Sequence, residues 1–171
     1  MPFWHNTGAF QPNDIAVVAI CSVAILTDLS RHRVPNALTF GGMGLGLLFS
    51  LGQAGPLFAL GGIALAFATL FPGWIFGGGV RAGDVKLMMA VGAFYGPEMA
   101  FRSSIAVYAL AIPFSLVVLV VKGKLGNAVV AARALVTPLP GVPESERVVV
   151  PFVPVVAAGI LLARTTGVLA W

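Results

Sequence analysis

Residues 56–76 read PLFALGGIALAFATLFPGWIF, with no charged side chain from end to end. About 20 consecutive apolar residues are what an α-helix needs to cross the hydrocarbon core of a bilayer. The run has no alternation of period two, which argues against a strand of a membrane barrel. The rest of the chain has the same character. It is 58% hydrophobic and 9% charged, with a mean hydropathy of +0.98, whereas about a quarter of a soluble domain is charged. Twelve prolines and 21 glycines accord with membrane helices, where both are more frequent than in soluble ones. The sequence therefore reads as an integral membrane protein, with residues 1–171 forming one domain.

Outward from 56–76, five further apolar runs stand at 15–27, 38–51, 85–95, 101–121 and 148–163. The expected fold is all-α, a polytopic membrane helix bundle of about six transmembrane helices in the lipid bilayer. Arg31 and Arg33 follow the first run. Arg81 and Lys86 lie between the third and fourth, and Lys122, Lys124, Arg133 and Arg147 between the fifth and sixth. Arg102 and Arg164 fall on the other side. The positive-inside rule then puts the three basic loops in the cytoplasm and both termini outside, in the cell's inner (cytoplasmic) membrane. The net charge of +4 is accounted for by these loops and gives no reason to expect a nucleic-acid partner. The apolar stretch 128–135 is expected along the inner interface, and Phe3 and Trp4 at the outer one. The opening MPFWHNTGAFQPND has no Lys or Arg, and no removable signal peptide is expected. Cys21 is alone, and His5 and His32 lack companions, so neither a disulfide nor a metal site is expected.

The chain has three aspartates, and two of them stand where apolar runs meet the basic side. Asp28 lies in TDLSRHRVPN (27–36) and Asp84 in RAGDVKLMMAV (81–91). Each has a plain explanation. Asp28 reads as a charge at the membrane edge offset by Arg31, and Asp84 as a helix N-cap. Together they read differently. Two carboxyls brought close cannot both ionise easily, so an acid and a base coexist near neutral pH. Such a pair can activate a water against a peptide bond. Their neighbours fit this reading. Gly83 permits close approach and an irregular turn, Gly77–Gly79 a pliant lead-in. Val34 and Pro35 impose an extended exit from the first helix, after which Asn36 can cap the second.

These motifs resemble those of the type IV prepilin peptidases, membrane aspartyl proteases with a GxGD motif. The resemblance rests on DLSRHRVPNALT (28–39), AGDVKLMMAVGAFYGP (82–97) and VPFVPVVAAGILL (150–162), in the family's order. It implies that Asp28 and Asp84 are the catalytic pair, supported by Gly83, Lys86, Pro35 and Asn36. The implied substrate is a prepilin or pseudopilin, whose short basic leader is cut at the cytoplasmic membrane face. No cofactor is implied. Longer relatives carry an amino-terminal region with paired cysteines and methylate the new pilin terminus. Nothing here resembles that region, and the chain is similar to the short peptidases of tight-adherence (Flp-type) pili. Arg81 stands where the GxGD motif has its first glycine. It could swing to the interface, pair with an acidic group, or act on Asp84. Two rival readings remain beside the protease: a proton-coupled small transporter, and a non-catalytic pilus-assembly protein. A broader intramembrane protease of the GxGD class differs in cutting within a substrate's span.

Overall fold

The computed structural model describes residues 11–31, 33–52, 54–75, 80–121 and 152–166. Among them are five helices: α1 (Pro12–Arg31), α2 (Asn36–Leu51), α3 (Pro56–Ile75), α4 (Ala82–Val121) and α5 (Val153–Thr166). Three, α1, α3 and α4, are long and apolar enough to cross a membrane. Each of the six apolar runs keeps its own rod, because the fourth and fifth both fall in α4, as two helices joined across a kink. That helix is broken at Gly96, whose φ of 77° and ψ of −176° are not helical. Only glycine adopts this backbone readily. A side chain there would also run into the ring of Phe58. Pro97, next in line, has no N–H to give the preceding turn. Two arms result, 82–95 and 97–121.

The first arm is the centre of the bundle. Asp84, Val85, Leu87, Met88, Ala90, Val91, Ala93 and Phe94 are all buried, so this arm is covered over most of its circumference, with Ala82, Lys86 and Met89 half-buried along one face. Small residues let its neighbours close on it. A Cβ on Gly46 of α2 would come 2.7 Å from that of Ala93. Gly62 of α3 lies against the Gly92 backbone so closely that a methyl group there would overlap its carbonyl. Close backbone approach through small residues is the usual adhesive of membrane helices, because lipid offers no hydrophobic drive for them to associate. Hydroxyls add to it. Thr69 of α3 and Ser104 of the second arm are hydrogen-bonded at 2.8 Å, and the Tyr108 hydroxyl donates to the Thr69 carbonyl at 2.9 Å.

Successive rods run in opposite directions. The start of α2 meets the start of α4 through Asn36 and Lys86, and its far end meets Phe94 through Phe49. The end of α1 meets the start of α4 at Arg81, while its beginning meets Tyr95 and the end of α5. The bundle thus has two ends, one carrying Asp28, Asp84, Asn36 and Lys86, the other Asp14, Tyr95 and Arg164. Residues 128–135, Phe3, Trp4, His5, His32 and 77–79 lie outside the described residues.

Candidate active site

α1 buries one stripe, Asp14, Val17, Ile20, Cys21, Ala24 and Asp28, spaced at the helical period. Asp28 does not end the helix, as the apolar run suggests, but lies one turn inside it and is 3% exposed. Its ion pair is with Arg81 rather than Arg31: Arg81 Nη1 lies 3.9 Å from Asp28 Oδ1. Asp28 Oδ2 is buried and accepts no hydrogen bond among the described residues. Buried carboxylate oxygens are normally partnered, so one that is not calls for an explanation, and a role in chemistry is one.

Asp84, 2% exposed, is not the N-cap. α4 begins at Ala82, so Arg81 holds the cap position and Asp84 the third helical one. Its Oδ2 reaches back to accept from the Arg81 N–H at 2.9 Å. This is the returning half of a capping box, which satisfies a donor that the first turn leaves open. Arg81 therefore touches both aspartates, one through its side chain and the other through its main chain. The two carboxylates, 56 positions apart in sequence, thus meet on a single residue, Arg81.

Two supporting residues, Gly83 and Asn36, behave differently from expectation, while Pro35 is extended as expected. Gly83 is helical and makes no irregular turn, because α4 is already under way at Ala82. It faces Val34 in the chain leaving α1, where an added Cβ would stand at an ordinary 3.4 Å from Val34 Cβ. Pro35, extended at φ −62° and ψ 135°, occupies the N-cap of α2, so Asn36 is the first helical residue and not the cap. The Asn36 amide serves elsewhere: its Oδ1 accepts from Lys86 Nζ at 2.9 Å, fastening α2 to α4 beside the aspartates. The Lys86 ammonium also lies 5.3 Å from the centre of the Phe40 ring, within cation–π range.

The opposite end holds what sequence reasoning missed. Asp14 takes hydrogen bonds from Tyr95 at 2.6 Å and from Arg164 at 3.1 Å, joining α1, α4 and α5. Arg102, the other cation on that side, is paired with Glu98 one turn earlier. The two arginines read as stray outer charges are thus both engaged. The signal for Asp14 was its place beside Pro12 at a helix start, in a chain with so few acids.

An all-helical membrane bundle with buried carboxylates at both ends is the class that fold and site define. Within that class the chain belongs to the type IV leader peptidase family, whose model matches residues 15–123. It is therefore a membrane leader peptidase. The matched region contains Asp28, Pro35, Asn36, Gly83, Asp84 and Lys86, and omits Asp14 and all of α5. No curated protein and no solved structure matches the chain.

Proposed function

We propose that this peptidase removes the short basic leader of a prepilin or pseudopilin at the cytoplasmic face of the inner membrane, with water activated between Asp28 and Asp84. The observation that carries the reading is the unpartnered, buried oxygen of Asp28, on a carboxylate that shares Arg81 with Asp84. In this scheme one carboxylate takes a proton from water as the oxygen attacks the scissile carbonyl. The other, as the acid, donates to the carbonyl oxygen. The tetrahedral species then collapses: the proton taken from water passes to the departing amine, and one hydroxyl proton returns to the carboxylate that had acted as the acid. Burial favours this chemistry, since charges act more strongly where bulk water is excluded. The Lys86–Asn36 bond holds the start of α2 to the first turns of α4 beside the pair.

The cytoplasmic orientation follows from Arg31, Arg33, Arg81 and Lys86, which share this end of the bundle with both aspartates. Methyl transfer is not part of the proposal. Purified chain supplied with S-adenosylmethionine is expected to leave the new pilin terminus unmethylated. The principal test is processing of candidate prepilins by purified protein in detergent, read by mass spectrometry, for wild type, Asp28→Asn and Asp84→Asn. Leader removal by wild type alone is the expected result. Cleavage that survives either substitution would reject the pair.

A further inference from the structure

Asp14 takes no part in the cleavage proposed above, yet it is as carefully held as any side chain in the molecule. It is 7% exposed and both its oxygens are doubly engaged. Oδ1 accepts from Tyr95 Oη at 2.6 Å and Arg164 Nε at 3.1 Å. Oδ2 accepts from the Gln11 N–H at 2.8 Å and Arg164 Nη2 at 3.1 Å. Beside it, Asn13 Nδ2 donates to the Phe94 carbonyl at 3.3 Å. The two-pronged arginine contact fixes direction as well as distance.

The cluster is in register with the aspartate pair at the other end. On α1, Asp14 and Asp28 close the two ends of one buried stripe. Fourteen positions return a helix to within about 40° of the same direction, roughly 21 Å further along. On the first arm of α4, Asp84 and Tyr95 are separated by 11 positions, which brings them within about 20° of each other. A single seam between α1 and α4 thus carries the reacting pair at one end and the cluster at the other. Turning α1 by about 10° would swing a carboxylate at the helix rim by about 1 Å, and a misplacement of that size can cost about 10²-fold in rate.

We propose that Asp14, Tyr95 and Arg164 are positioning residues, which set the rotation of α1 against the first arm of α4 and so aim Asp28 at Asp84 from the opposite face of the membrane. The proposal rests on the reading of Asp28 and Asp84 as the reacting pair. Asp14 and Arg164 lie outside the family-matched region, and Tyr95 lies inside it.

Two measurements test it together. Spin labels at Ser30 on α1 and Trp74 on α3, in a Cys21→Ala background, report the distance between the helix ends nearest the pair. Prepilin cleavage, normalised to folded protein, gives kcat and KM. For Asp14→Asn and Arg164→Met the label distances are expected to broaden or shift. kcat is expected to fall by at least about tenfold with KM unchanged, and Arg164→Lys to recover part of the loss. A loss of melting temperature alone, with wild-type distances and wild-type kcat per folded molecule, would overturn the proposal, as would shifted distances with undiminished kcat. If the wild-type chain cleaves no prepilin, the cleavage reading fails on its own. The label distances then still decide whether the cluster aligns α1, and unaltered distances reject it.

Discussion

Asp14 and Asp84 stand at the third position of their helices, and each reaches back to the N–H just before it, Gln11 in one case and Arg81 in the other. Beyond that shared bond their surroundings diverge. At the Asp14 end every carboxylate oxygen is engaged, by a tyrosine, a main-chain N–H and two nitrogens of one arginine. At the Asp84 end a second carboxylate, Asp28, lies nearby with one oxygen open, and its arginine stands off at 3.9 Å. Satisfied buried networks rigidify a structure, and incompletely satisfied ones spend stability. The difference between the two carboxylates is thus one between holding and reacting, although Asn13 Oδ1 and Arg102 Nε on the Asp14 side are also buried without a partner among the described residues.

The largest effect that would sharpen this contrast is on catalysis. Asp28→Asn or Asp84→Asn is expected to lower leader cleavage by about 10²–10⁴-fold, the usual contribution of a positioned acid or base, in a prepilin assay with purified protein. Next comes stability at the other end. Asp14→Asn strips the charge from a buried pair, and losses of about 3–5 kcal/mol are typical for such breaks. Arg164 keeps 22% of its side chain exposed, which points to the lower figure, about 3 kcal/mol, read by thermal unfolding in detergent. Gly62→Ala tests the packing between the two ends. A methyl group against the Gly92 carbonyl forces α3 off α4, at about 1–3 kcal/mol, again by thermal unfolding. Smallest is Arg81→Gln. The Arg81 side chain is 37% exposed, so screening leaves about 1 kcal/mol of stability or less in that pair. A larger loss would show that the two ends are held in the same way.

Much of this was legible in the sequence, for reasons that differ by residue. The membrane class and the apolar runs followed from composition, because lipid permits little else. The separation of 85–95 from 101–121 is kept in the structure, where the backbone at Gly96 is not helical. That Asp28 and Asp84 share an end followed from counting basic loops. Exact helix starts were not legible. Pro35 rather than Asn36 precedes α2, and Arg81 rather than Asp84 caps α4, because capping depends on where the first turn closes and not on residue type alone. Asp14 was hidden for a different reason. Its partner Arg164 is 150 positions away, and no local pattern announces a bond of that span.

The central claim is that one end of the bundle is built to hold and the other to react. Thermal unfolding and leader cleavage, measured on the same preparations of Asp14→Asn and Asp28→Asn, test it most directly. Asp28→Asn should unfold at or near the wild-type temperature while cleavage is abolished, because it neutralises a buried carboxylate that was only partly satisfied. Asp14→Asn should unfold well below wild type. An Asp28→Asn protein that unfolds as early as Asp14→Asn, and still cleaves at the wild-type rate per folded molecule, would contradict the account.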